Sequence, residues 1–302
     1  MTESLTEHVD TPRFPVPKGA CDCHFHLYGP VDKYPHRSGR AHLQPDALAT
    51  DLHTMHKRIG IERMILVHPG GYYADNQRLY DFLAETAPQS RGVAIFDPDI
   101  SDAEFDRLDA VGVRGMRITP GNHPADIDDV IATTTKLAKR FAPRGWHLQF
   151  VLQGHLRNEI FPLLADLPVN VVIDHLGLIR PERREGHPGW EGLLKLVENE
   201  NIWVKTSGAD RITRNGRFED ALPVMKALIR AAPKRMVWGT DWPHVNDRPP
   251  KADGSNPIVV PYLDVDETRL INVLAMACPD AETFSSILAN NPARLYGFES
   301  MS

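Results

Sequence analysis

Cysteine is scarce in this 302-residue chain, which carries only Cys21, Cys23 and Cys278. An odd number, with two of the three sharing one strand-like segment, argues against a disulfide framework and for a reducing compartment, so the cytoplasm is the expected location. No apolar run approaches the roughly 18 residues of a membrane span, and Met1–Lys18 is too polar for a secretory signal. Positive charge is also short. The net charge of -6 is spread along the sequence, which leaves no basic footprint for nucleic acid or an anionic membrane, so any positive site must be local. No GxGxxG follows a strand, which removes the usual dinucleotide fingerprint, and there is no internal repeat or low-complexity tract. What is present, 42% hydrophobic and 25% charged residues, is an ordinary globular composition that can bury a core in one large domain or two small ones.

Residues 1–18, with Pro12, Pro15 and Pro17, read as an extended arm without a core of its own. After it, short apolar or β-branched runs alternate with segments of helical period. The strand candidates are Ala20–His24, Arg63–His68, Gly92–Asp97, Val113–Thr119, His147–Leu152, Val169–Asp174, Ile202–Thr206 and Met236–Thr240. Helices are expected at Asp46–Ile59, Asn76–Ala87, Asp102–Val111, Ile127–Phe141, Leu156–Leu167, Trp190–Asn199 and Phe218–Ala232, with Asp266–Cys278 and Ala281–Ala289 closing the chain. This alternation is the signature of βαβ units around a parallel sheet. Eight units over residues 19–302 fit a single (β/α)8 TIM-type barrel better than a doubly wound sheet.

A barrel of this kind collects its chemistry at the carboxyl ends of the strands, and the unusual polar residues obey that demand. His24 and His26 end the first strand candidate, His68 the second, Asp97 the third and Arg117 the fourth; His175 follows the sixth and Asp241 closes the eighth. A lone HxH is a weak motif. Seven such residues at the ends of six strands are more simply explained by one shared mouth than by seven separate satisfied polars. Long connections at Leu27–Pro45, Pro69–Asp75, Ser207–Arg217 and Trp242–Asp264 have the length of lids or binding loops.

The segments CHFH at 23–26, IDH at 173–175 and WGTDWPH at 238–244 resemble the amidohydrolase superfamily, and within it the branch that holds the pyrone-dicarboxylate lactonases and sulfomuconolactone hydrolases. The similarity extends to GVAIFDP at 92–98, VRGMRIT at 113–119, GWH at 145–147, IWVKTS at 202–207 and NPARLYGF at 291–298. It implies a barrel in which His24, His26, His175 and Asp241 surround a hydrolytic water. Larger two-metal members place a bridging Lys or Glu at the end of strand four, where this chain has Arg117. The resemblance thus implies at most one zinc-like divalent ion, on His24, His26, Asp241 and His175, and lactonases of the branch work with a metal or without one.

A lactone carbonyl requires an attacking water, a base for its proton and a donor or cation at the developing oxyanion. Asp241 is the expected base. The guanidiniums of Arg117 and Arg211 suit a carboxylate or sulfonate, so a small anionic lactone from aromatic catabolism is the expected substrate. His68 and His244 are further candidates for lining the mouth, whereas His155 and Asp97 read as structural. Competing readings are a metal-dependent decarboxylase of an aromatic or unsaturated acid, a sugar-acid lactone isomerase, and a non-catalytic metal-binding barrel. Nothing in the sequence selects a monomer over a homodimer.

Overall fold

A computed structural model of the chain describes residues 12–118, 127–152, 156–184, 186–213, 216–246, 249–251 and 257–299. Eight strands, β1 (Cys21–Phe25), β2 (Arg63–Val67), β3 (Ser90–Ala94), β4 (Val113–Ile118), β5 (His147–Phe150), β6 (Val171–Ile173), β7 (Ile202–Lys205) and β8 (Met236–Val237), pair in parallel in sequence order. Three backbone bonds close β8 onto β1: Cys23 N–H donates to Trp238 O (2.8 Å), Asp241 N–H to His24 O (2.7 Å) and His26 N–H to Trp242 O (2.8 Å). The fold is the expected (β/α)8 barrel.

The strands run apolar on both faces because both are covered. Cys21, Cys23, Ile65, Val67, Val93, Val172 and Val237 meet inside the barrel, where Tyr296 and Phe298 join them, while Phe25, Met64, Leu66 and Ile173 pack outward against the helices. The helical layer comprises α1 (Ala49–Ile59), α2 (Gln77–Thr86), α3 (Asp102–Val111), α4 (Ile127–Phe141), α5 (Leu156–Ala165), α6 (Pro188–Leu196), α7 (Leu222–Ala231) and α8 (Glu267–Ala277). Local chemistry sets their ends. Ser101 Oγ accepts from Glu104 N–H at the start of α3 and Asp266 Oδ1 from Thr268 N–H at the start of α8, both N-cap bonds that satisfy otherwise orphaned donors.

Three boundaries differ instructively from the sequence expectation. The eighth strand stops at Val237, not Thr240, because Thr240 N–H leaves the ladder for the side chain of Asp22. The third lies at Ser90–Ala94, and Asp97 beyond it is exposed and accepts from Asp99 N–H (2.9 Å), an Asx turn as expected of it. The last helix does not end at Ala289; after Ala281–Ser285 it loosens through Ser286–Asn290 and continues as Asn291–Tyr296, which carries Tyr296 into the barrel floor. Thr119 and His155 lie outside the described residues.

The mouth connections are packed. His42–Leu43 and Ile258–Val259 pair in parallel, Tyr28 and Ala47 exchange backbone bonds, and Tyr262 Oη donates to Pro45 O (2.5 Å). Tyr28, Tyr34, Ala47 and Tyr72 thereby form an aromatic cluster above the barrel, flanked by Trp242 and Tyr262. From the described part of the arm, Phe14 packs its ring against Phe284 (5.8 Å). Among the described residues no helix is long and apolar enough to cross a membrane.

Candidate active site

Strict alternation along β1 would put Asp22, His24 and His26 on one face. The structure separates them with an irregularity in the β1–β2 register: Asp22 pairs with Met64 and Phe25 with Leu66, three steps against two. Such an extra residue turns a side chain to the other face, a common device beside functional sites. Asp22 consequently points out to α1 and β8. Its Oδ2 accepts from His56 Nε2 (2.9 Å) and Thr240 Oγ1 (2.6 Å), and its Oδ1 from Thr240 N–H (2.9 Å) and His24 N–H (3.0 Å). One buried carboxylate therefore fixes the backbone of His24 and the turn that leads into Asp241. Gly239 lets these segments meet, since a Cβ there would lie 2.5 Å from His24 N.

His24 and His26 stand edge to face, with ring centres 5.0 Å apart, and His175 tilts against His24 at 4.5 Å. All three surround Asp241: His24 Nε2 lies 3.6 Å and His26 Nε2 3.7 Å from Oδ1, and His175 Nε2 3.9 Å from Oδ2. Each ring is held from behind. His26 Nδ1 is 2.7 Å from Val67 O, His175 Nδ1 is 3.1 Å from Ser207 Oγ, and His24 Nδ1 is 3.2 Å from Lys205 Nζ. Asp241 and His175 adopt positive φ, 64° and 51°, a sparsely populated conformation for non-glycine residues that occurs where the surroundings enforce it. Gly208 makes room for His175; a Cβ there would lie 2.7 Å from the histidine's Cβ.

The histidines are neutral near pH 7. Burial pushes His24 well below its ordinary value, helped by Lys205; burial and then Arg117 push His26 down to about 3, and burial lowers His175. Asp241 is fully buried, which alone would raise its pKa, but Arg211 and the surrounding histidines outweigh that and hold it well below the carboxylate range. Arg211 Nε donates to Asp241 Oδ2. Arg117 Nε lies 3.3 Å from Asp174 Oδ2. The two arginines keep 14% and 16% of their side chains exposed while both carboxylates are sealed, so the cations form the rim and the anions the floor.

Behind the rim, Lys205 is fully buried at the end of β7. Its Nζ donates to Gln149 Oε1 (2.8 Å) and lies 3.4 Å from Asp174 Oδ1, and Gln149 Nε2 donates to Asp174 Oδ2 (2.9 Å). Burial lowers the Lys205 pKa against the pull of Asp174, and Lys205, His24 and Arg117 together hold Asp174 well below its usual value despite its burial. Lys205, Gln149 and Asp174 are absent from the residues expected from sequence. The signal in the sequence is a lysine closing the apolar run Ile202–Val204, and Asp174 stands directly beside His175.

His68 is buried near Tyr72, with ring centres 6.0 Å apart, and burial lowers its pKa to about 4. His244 turns away from the centre. Its Nδ1 lies 3.6 Å from Asp210 and its Nε2 3.5 Å from Glu267, at the edge of a recess of about 270 Å³ shared with Tyr262 and Asp264. Burial works against its charge, yet the two carboxylates raise its pKa to about 9. It braces the short helix Ala209–Ile212 that carries Arg211.

His24, His175 and Asp241 each offer a ligand atom within 4.8 Å of the others; His26 is not part of that group. His24 Nε2 and Asp241 Oδ1 are buried without a hydrogen-bond partner, the condition of atoms awaiting a water, a substrate or an ion. The three atoms lie close enough together to enclose a single cation.

The amidohydrolase profile matches residues 21–298. The chain is 30% identical over 302 residues to a 2-pyrone-4,6-dicarboxylate hydrolase of Comamonas testosteroni, covering 94% of this chain and 92% of that one. It is 28% identical over 297 residues to a 4-sulfomuconolactone hydrolase of Hydrogenophaga intermedia, covering 96% and 92%. A solved Pseudomonas putida structure, put forward as a 2-pyrone-4,6-dicarboxylic acid hydrolase, superposes with a TM-score of 0.79 at 25% identity, covering 95% of this chain and all of that one.

Proposed function

Since the chain belongs to the amidohydrolase family, we propose that it opens the ester bond of a small anionic lactone, with Asp241 taking the proton of the attacking water. One observation carries the reading: a fully buried, ionised carboxylate with an unpartnered oxygen faces three neutral imidazoles beneath two rim arginines. The relatives that act on a pyrone dicarboxylate and a sulfomuconolactone support a doubly anionic substrate from aromatic catabolism.

Arg117 and Arg211 bind the substrate's carboxylate or sulfonate and turn the ester carbonyl toward the floor. Water between Asp241 and the imidazoles attacks the carbonyl carbon as its proton passes to Asp241. His24 donates to the developing oxyanion in a sealed site, where such bonds count most. As the ring C–O bond breaks, the proton held on Asp241 goes to the leaving oxygen, which regenerates the carboxylate. One zinc-like ion on His24, His175 and Asp241, with His26 beside them, would polarise the carbonyl or acidify the water. The three buried free thiols support a cytoplasmic location, and we read residues 19–302 as one barrel with 1–18 as its arm.

The test is a panel of pyrone dicarboxylate, muconolactones, sulfomuconolactone and aromatic acids, offered to chelator-treated and zinc-supplemented enzyme. Acid release from a charged lactone supports the proposal; carbon dioxide release, or an isomeric lactone as the sole product, contradicts it.

A further inference from the structure

Lys205 is a fully buried cation that the proposed reaction leaves without a task. Its ammonium carries three hydrogens and no lone pair, and three acceptor atoms stand around it: Gln149 Oε1 at 2.8 Å, His24 Nδ1 at 3.2 Å and Asp174 Oδ1 at 3.4 Å. A group that can only donate forces the imidazole atom it touches to accept. His24 Nδ1 then holds no proton, and in the neutral ring the single N–H must sit on Nε2.

His26 is held the other way. There Nδ1 faces the carbonyl oxygen of Val67 at 2.7 Å, so Nδ1 carries the proton and Nε2 presents a lone pair. Two histidines two positions apart, both with Nε2 within 3.7 Å of Asp241 Oδ1, are thus set in opposite tautomers by what stands behind them. We propose that Lys205 is a positioning residue that fixes His24 as the Nε2–H tautomer, making it a hydrogen-bond donor toward substrate and opposing its use as a metal ligand.

A metal needs the lone pair of His24 Nε2, which moves the ring proton to Nδ1, where it meets the Lys205 ammonium. Asp174 Oδ1 lies 3.4 Å from the same Nδ1 and stands with it beside the Lys205 ammonium. Without Lys205, Nδ1–H would donate to Asp174, the carboxylate–histidine pairing that orients metal-binding imidazoles. The choice between the two tautomers is therefore made by one side chain. That His24 donates to a lactone carbonyl rests on the proposed function; the tautomer and its effect on metal do not.

Nitrogen-15 NMR of the histidine-labelled protein separates the two, because protonated and bare ring nitrogens resonate far apart and the two-bond ring correlations identify which is which. The His24 spin system is assigned by its loss in His24→Asn. The expected wild-type spectrum shows His24 as Nε2–H and His26 as Nδ1–H; an Nδ1–H His24 in the wild type overturns the proposal even if no variant folds. In Lys205→Met the His24 proton should move to Nδ1, and zinc affinity, measured by competition with a chromophoric chelator, should rise by about ten- to hundredfold. Arg117→Met removes a neighbouring cation without touching His24 Nδ1, so an equal rise in that variant, or an unchanged His24 tautomer in Lys205→Met, overturns the assignment. A failed lactone panel with the expected spectrum would count against the hydrolase reading alone.

Discussion

Arg211 donates from Nε to Oδ2 of Asp241, so the rim cation and the buried carboxylate form a single ion pair. The pairing is formed by a short helix, Ala209–Ile212, facing a residue at positive φ beyond β8. Under the proposed function an anionic substrate would compete for that guanidinium, which would couple its recognition to Asp241.

Replacing Arg211 with Met should therefore do two things. KM for a charged lactone should rise by ten- to a hundredfold, the loss of a charge-assisted contact of about 1.5–3 kcal/mol. The acid limb of the kcat/KM profile should move to higher pH, since Asp241 is held low in part by Arg211 and only the ionised form accepts a proton. Unchanged KM with a collapsed melting temperature would make Arg211 structural.

Asp241→Asn keeps shape and removes basicity. The expected outcome is a fall in kcat of at least a hundredfold, in the range general-base removal produces, with substrate affinity by equilibrium dialysis retained within several-fold. Near wild-type kcat would place the base elsewhere, with His175 next in line.

His244 gives a stability prediction with a definite sign. Its folded pKa is raised from 6.5 to about 9 by Asp210 and Glu267 against the effect of burial. The stabilisation is then fully present below about pH 6.5 and is lost as pH rises through about 9. His244→Gln should lower stability by on the order of 2 kcal/mol at pH 6 and by much less at pH 9.5, read from urea unfolding at both values. A difference independent of pH would mean that packing, not charge, holds this residue.

Asp22 accepts four hydrogen bonds from α1, β1 and the turn after β8. Asp22→Ala strands those donors, and roughly 3 kcal/mol or more should be lost in urea unfolding. A change within 0.5 kcal/mol would contradict its role as the clasp of the site.

Much of this was legible in the sequence for physical reasons. Parallel strands covered on both faces read as apolar runs, so the barrel and the four residues His24, His26, His175 and Asp241 follow from where polar side chains interrupt those runs. Arg117 and Arg211 were placed at the mouth but not with their partners, because which carboxylate each meets depends on strands far apart in sequence. The register irregularity in β1 is invisible to alternation, so Asp22 gave no sign that it turns outward. Lys205 was hidden by a different rule. Lysine is almost never fully buried unless paired, and its pairing requires β1, β5, β6 and β7 to converge.

The proposed hydrolysis puts a water oxygen into the product, and turnover of a charged lactone in oxygen-18 water followed by mass spectrometry of the acid reads it. Hydrolysis by Asp241-activated water predicts one oxygen-18 in the newly formed carboxylate after a single turnover, and none of it in Asp241→Asn over the same interval. Product that forms without the label, whether an isomeric lactone or a decarboxylated acid, would contradict the account.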